Sequence, residues 1–225
     1  MSKQVKQKQD EFATVEQALS TSEAFIEKYQ KQILVGVGIV VLLVLTVLSV
    51  RNFYIKPREV VAESEMYKAQ SYFASEAYEI ALNGDGLDCI GFREIVSDYG
   101  MTSSGNLAAA YAGICYYKNG DYQNAIKYLV QFDGKDAYLT VSVVGLIGDC
   151  YVELGEISKA IGYFEKAGGL KSEVMSPGYL KKAGLAYESL GQPAKAAKCY
   201  KEIKDSYSTS QEASDIDKYI ARTNG

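Results

Sequence analysis

The sequence predicts an all-α protein, a right-handed superhelix of stacked helix–turn–helix pairs preceded by one N-terminal transmembrane helix. Three observations carry this. Four positions recur in one frame three times: Gly113, Gly148 and Gly184; Tyr116, Tyr151 and Tyr187; Gly120, Gly155 and Gly191; Ala125, Ala160 and Ala196, at steps of 35 and then 36 residues. Ile33–Val50 runs for 18 residues without a charge. No histidine occurs in the 225 residues, which removes the commonest general base and metal ligand.

Taken from the N-terminus, residues 1–32 form a short polar tail without sustained heptads. The apolar run follows. Its 18 residues span about 27 Å as a helix, close to a hydrocarbon core of ~30 Å. Phe53, Tyr54 and Ile55 extend the span to residues 33–55, and Tyr29, Phe53 and Tyr54 flank it as an aromatic belt. A buried core helix and a cleaved secretory signal are the competing readings. The first lacks a partner layer. The second lacks a small-x-small cleavage site and has too long a run after 32 residues. A retained signal anchor is therefore expected. Gly36 and Gly38 lie two apart, so no close helix-dimer motif is implied.

Flanking charge leans the other way from the topology favoured below. Lys28 and Lys31 precede the span, whereas Arg51, Lys56, Arg58 and Lys68 follow it; Lys3, Lys6 and Lys8 lie too far upstream to count. Residues 59–225 hold 16 basic and 23 acidic residues, an acidic domain with scattered charge that argues against nucleic acid.

A self-similar period of this size marks a stack of identical supersecondary units. Within each unit, glycine on the first helix admits the paired helix, and the tyrosine at i+3 fills the space beside the crossing. The next glycine suits a left-handed helix end. Alanine opens the second helix, and Leu129, Phe164 or Tyr200 packs four residues on. Ala112–Leu129, AGICYYKNGDYQNAIKYL, resembles the tetratricopeptide repeat (TPR) consensus, with Ala109, Val144 and Leu180 where tryptophan is usual. Clear units are expected over about 106–139, 141–174 and 177–210. A capping helix over about 210–222 solvates the end of the stack. A degenerate unit is expected over about 59–105, with helices Glu59–Asn83 and Leu87–Tyr99. Aligning Gly84 with the turn glycines puts Cys89 at the alanine position and Arg93 where a bulky apolar residue belongs.

Cys89, Cys115, Cys150 and Cys199 have no C-x-x-C spacing, so neither a zinc nor a redox site is indicated. Small buried hydrophobes are the favoured reading, and a Cys115–Cys150 bridge between units the other. Gly84-Asp85-Gly86 reads as a turn rather than a phosphate loop. Tyr111, Tyr116, Tyr117, Tyr122 and Tyr128 fall at helix-pair spacings and read as packing residues. No catalytic residue, cofactor, metal or small-molecule substrate is expected.

The resemblance to tetratricopeptide repeats implies that the inner helix of each unit lines a concave groove. It places Ile114, Tyr117 and Lys118 there from the first clear unit, Asp149, Val152 and Glu153 from the second, and Lys181, Leu185 and Glu188 from the third. The layout as a whole, with GNLAAAYAG and PGYLKKAGLAYE, resembles the ancillary subunit of the Sec translocon. That resemblance implies a single-pass protein of the bacterial inner membrane with a cytoplasmic N-terminus and periplasmic repeats. Its implied partners are translocon subunits, a membrane-anchored periplasmic chaperone and extended client peptides. An anchored cell-envelope or division coordinator is the alternative function. An outer-membrane assembly factor would need a lipobox cysteine at the end of the apolar run, where Arg51 stands.

Overall fold

The computed structural model describes residues 28–134, 136 and 138–223; the polar tail expected over residues 1–32 lies outside them up to residue 27. The chain divides into two compact units, Met1–Tyr54 and Ile55–Gly225. In the first, residues 28–49 form a helix, α1. It belongs to Lys28–Ala74, the one helical stretch among the described residues that is long and apolar enough to cross a membrane. Its most apolar 18-residue window has a mean hydropathy of 3.1 and buries none of its residues. The Thr46 hydroxyl donates to the Leu42 carbonyl at 2.8 Å, so this polar group is satisfied within the apolar run. A π-type stretch, Val50–Ile55, follows.

The second unit is all helical among its described residues. Helices α2 (Lys56–Ala74), α3 (Tyr78–Asn83) and α4 (Gly91–Tyr99) precede three pairs: α5 (Ser103–Lys118) with α6 (Tyr122–Leu129), α7 (Leu139–Glu153) with α8 (Ile157–Gly169), and α9 (Ser176–Ser189) with α10 (Pro193–Ser206). A 3-10 turn, Glu212–Asp215, leads into α11 (Ile216–Thr223). From α5 onward each helix packs chiefly on its neighbours in sequence, as in a quasi-one-dimensional stack, whereas α2 also packs on α4 and α5.

The recurring residues do the work that their spacing implies. A Cβ at Gly113 would sit 2.5 Å from Leu129, one at Gly148 2.5 Å from Phe164, and one at Gly184 2.3 Å from Tyr200. Only hydrogen fits there, so each glycine fixes the approach of its paired helix. Tyr116 stacks on Tyr128 at 5.2 Å and Tyr151 on Tyr163 at 5.4 Å, one frame apart. Cys199 stands where a third such ring would be, beneath Tyr187. Ala109, Val144 and Leu180 are buried at the positions usual for tryptophan.

Each first helix ends in the same way. At the first turn, the Gly120 N–H donates to the Tyr117 carbonyl and the Asp121 N–H to the Tyr116 carbonyl. Gly155 and Glu156 repeat this on Val152 and Tyr151, and Gly191 and Gln192 on Glu188 and Tyr187. This double bond is a Schellman end, which needs a left-handed residue; φ is +78°, +74° and +67° at the three glycines.

The first unit corrects the register expected from Gly84. The Glu76 N–H donates to Phe73 and the Ala77 N–H to Tyr72, with φ +61° at Glu76. The helix expected over Glu59–Asn83 therefore breaks there, and Glu76 holds the turn-glycine position. Tyr72 then aligns with Tyr116, Tyr78 with Tyr122, and the fully buried Ala69 and Ala81 with Gly113 and Ala125. Asp85 falls where Leu129 packs in the next unit. It organises a loop instead. One carboxylate oxygen accepts the N–H groups of Leu87, Asp88 and Cys89, and the other accepts the Tyr72 hydroxyl at 2.9 Å. Phe92 and Ile95, both fully buried on the displaced α4, supply the apolar volume. Arg93 lies on the surface and donates to Asn83 at 2.7 Å.

Caps join neighbouring units. The Thr102 side chain accepts the Gly105 N–H at 2.9 Å at the start of α5. Glu59 of α2 adds its carboxylate to the same helix end, accepting the Ser103 and Ser104 N–H groups at 2.6 and 3.0 Å, where the helix dipole favours an anion. At the far end, α11 is held by ion pairs Lys181–Asp215 and Lys204–Asp217, both 2.7 Å, and Arg222–Glu188 at 2.8 Å, around the buried Ile216.

Candidate protein-binding groove

The first helices α5, α7 and α9 each leave one stripe open once their other faces are committed to the paired and neighbouring helices. In the repeat frame, Ile114, Asp149 and Leu185 share one position of that stripe, and Tyr117, Val152 and Glu188 share the next. Lys118, Glu153 and Ser189 complete it. Leu185 and Val152 are exposed, and Ile114 and Tyr117 are half-buried. The stripe therefore offers apolar surface at each unit.

The polar members differ in how far they are already engaged. Tyr117 meets Tyr122 edge-on at 5.6 Å, and burial followed by the nearby Asp149 and Glu153 charges pushes its hydroxyl pKa up. Lys118 is exposed, with its ammonium 6.0 Å from the centre of the Tyr78 ring. Asp149 accepts two bonds from Lys182, at 2.7 and 2.8 Å. Lys182 also lies over Tyr179 at 5.4 Å. Glu153 is exposed. Glu188 accepts the Tyr200 hydroxyl at 2.7 Å and pairs with Arg222.

Lys181 lies beside Leu185 and is already paired. It occupies the frame of Ala110 and Gly145, which face the following helix. A Cβ on Gly145 would meet the Tyr179 ring at 2.0 Å. Lys181 faces the 3-10 turn and α11, pairing with Asp215 and lying 4.4 Å from the centre of the Tyr219 ring. Its neighbour Lys182 shares a frame with Tyr111 and Leu146. Both lysines line an open concavity of about 420 Å³ together with Leu185, Gln211, Glu212 and Asp215.

The four cysteines are free and buried. Burial pushes the Cys115 and Cys150 thiols up to about 12 and Cys199 to about 11, so none is a nucleophile at neutral pH. Tyr111, assigned to packing, lies edge-on to Phe73 at 5.0 Å and stacks on Phe92 at 5.1 Å.

Comparison with known proteins agrees with this geometry. Profiles of the tetratricopeptide repeat match residues 111–132 and 180–210, and residues 141–173. No curated protein matches the chain. Among solved structures, TPR-like repeats of a candidate kinesin light chain from Podosopora anserina superpose with a TM-score of 0.54 at 14% identity, covering 76% of this chain and 87% of that one. The MamA protein superposes with a TM-score of 0.53 at 16% identity, covering 72% and 86%. At such identities the likeness is one of fold. Residues 111–132, 141–173 and 180–210 thus match tetratricopeptide repeats, and repeats of this type imply a scaffold for protein–protein interaction.

Proposed function

We propose that this chain is a membrane-anchored scaffold whose concave face holds extended segments of protein partners, and that it acts as an ancillary subunit at the Sec translocon, assisting periplasmic handover of secreted or envelope proteins. The observation that carries the reading is the open stripe on three successive first helices, with Tyr117, Val152 and Leu185 accessible. Alternating apolar anchors and flanking charge suit an extended peptide or a partner helix. The anchor is residues 33–55, whose helix has the required length and hydropathy. The layout of tail, span and acidic repeats supports the translocon assignment. In this reading the N-terminus is cytoplasmic, the repeats are periplasmic, and translocon subunits and a membrane-anchored chaperone are the partners.

Affinity capture of the full chain from membranes in mild detergent tests this. Channel subunits of the translocon should co-purify with the wild type. Val152→Asp should reduce capture of client or chaperone roughly tenfold or more, as expected for a charge placed at an interface anchor. The channel contact should persist if the span makes it. Absence of translocon subunits from the wild-type complex, or an inactive but stable alkaline phosphatase fusion after Gly225, would overturn the assignment.

A further inference from the structure

Helix α2 carries apolar side chains on two opposite faces. One, formed by Ala62, Met66 and Ala69, is buried within the first unit. On the opposite side lie Val60, Ser64, Tyr67, Ser71 and Ala74, all exposed, with Val60 at 69% and Tyr67 at 77%. The apolar residues of α4, α6 and α8 gather on one side, whereas those of α2 are spread round it. A helix that is apolar on opposite faces has a second face to bury.

The repeat frame shows what such a face does elsewhere. With Glu76 at the turn position, Tyr67 aligns with Tyr111, whose ring lies between Phe73 and Phe92 of the preceding unit. Ser64 and Ser71 align with Ala108 and Cys115, both fully buried in the core shared with that unit. In α2 the same face is lined by serines and two exposed apolar side chains. Among the described residues of this compact unit, no helix covers it.

We propose that two copies of this chain associate through this face of α2, side by side, parallel and two-fold symmetric. Residues 60, 64, 67, 71 and 74 are spaced i, i+4, i+7, i+11 and i+14, the repeat of a two-stranded coiled-coil seam. Val60 and Tyr67 are the knobs, and Ser64 and Ser71 leave room for those of the other copy. Glu63 and Lys68 flank the seam on opposite sides, five residues apart, the offset at which flanking positions of two parallel helices meet. The Lys68 ammonium uses two donors, on Glu65 at 2.9 Å and the Asp88 carbonyl at 2.7 Å, which leaves one for Glu63 of the other copy. The seam is short, about 21 Å over 14 residues. Association therefore depends on the effective concentration and common orientation that anchoring in one membrane supplies. The association thus rests on the anchor reading, which also agrees with the parallel sense that the Glu63–Lys68 offset requires.

Disulfide trapping of the full chain in membranes tests the proposal, and the buried native thiols leave the background clean. Ser64→Cys and Ser71→Cys should each give a covalent dimer on oxidation. Lys127→Cys, an exposed control on α6, should not. Adding Tyr67→Glu to Ser64→Cys should lower the dimer yield about tenfold or more, and Val60→Glu should act alike if Tyr67→Glu impairs folding. Far-UV circular dichroism checks the fold of each variant. Dimer yield at Ser64→Cys no higher than at Lys127→Cys, or unchanged by both glutamate variants in folded protein, overturns the proposal. Recovery of the chain in the membrane fraction is scored on the same gels, so a failed seam and a failed anchor are told apart.

Discussion

The first unit and the three that follow it build the same helix–turn–helix corner from different residues. In the later units each job belongs to one side chain in one frame: Gly148 admits Phe164, Gly155 turns the chain, and Ala160 opens the second helix. In the first unit Ala69 replaces the admitting glycine and Glu76 turns the chain. Asp85 stands where the bulky residue should be, and Phe92 and Ile95 fill the core from a separate helix. What the units share is the backbone bonding of the helix end, six residues from Tyr72 to Ala77 or Tyr116 to Asp121. The corner is a property of main-chain donors and acceptors; the side chains decide how cheaply it forms and what fills the space behind it.

The strongest way to break this comparison is to empty the core on both sides of it. Phe164→Ala and Phe92→Ala should each cost about 3–5 kcal/mol, because both rings are almost wholly buried. Arg93→Ala should cost less than about 0.5 kcal/mol, as an ordinary surface change. Urea denaturation of residues 55–225 measures all three. A cost at Arg93 matching that at Phe92 would restore the register based on Gly84.

The turn residues sharpen the comparison at a smaller scale. Glu76 adopts φ +61°, where a side chain is disfavoured, whereas Gly155 adopts +74° without penalty. Glu76→Gly should therefore stabilise the domain by up to about 1 kcal/mol, after the entropy cost of glycine is subtracted from the relieved strain. Gly155→Ala should destabilise it by about 1 kcal/mol. Thermal unfolding of the two variants should move in opposite directions, and equal signs would mean that the two turns are not equivalent.

The smallest expected effect is one of pH. Asp85, bonded to the N–H groups of Leu87 and Cys89 and to the Tyr72 hydroxyl, has its carboxyl pKa lowered to about 2. A folded-state pKa below the unfolded value contributes stability that is complete above about pH 4, the ordinary aspartate range, and is lost as pH falls through about 2. Asp85→Asn should lower the melting temperature at pH 6, and the gap to wild type should close between pH 4 and 2. A gap that holds constant over that interval would show that the loop does not depend on the charge.

The three later units were legible because glycine, tyrosine and alanine recur in them without substitution. The first was misread because the alignment sought a glycine at its turn. The spacing of Tyr72, Tyr78 and Ala81 repeats that of Tyr116, Tyr122 and Ala125, and it was in the sequence throughout. At the expected groove, the frame assigns positions on the first helices but not which charges are already paired. Asp149–Lys182 and Lys181–Asp215 join residues 33 and 34 apart, just under one repeat, so opposite charges at that separation predict pairs from a first helix to the element that stands one repeat on. The unburied stripe of α2 was missed for another reason. Its serines look like a solvated face until they are set beside Ala108 and Cys115.

The cysteines carry a consequence for how such a stack comes apart. Cys89 lies in the first unit, Cys115 on α5, Cys150 on α7 and Cys199 on α10, all shielded from solvent. Every unit thus contains one silent thiol, and a repeat array opens by the unit or by runs of units rather than all at once. A thiol that becomes alkylated must have been uncovered by the opening of its own layer. Labelling followed by peptide mass analysis would therefore give the unaltered chain a four-point stability profile along its length, and a partner lying in the groove would be located by the thiols whose labelling it slows.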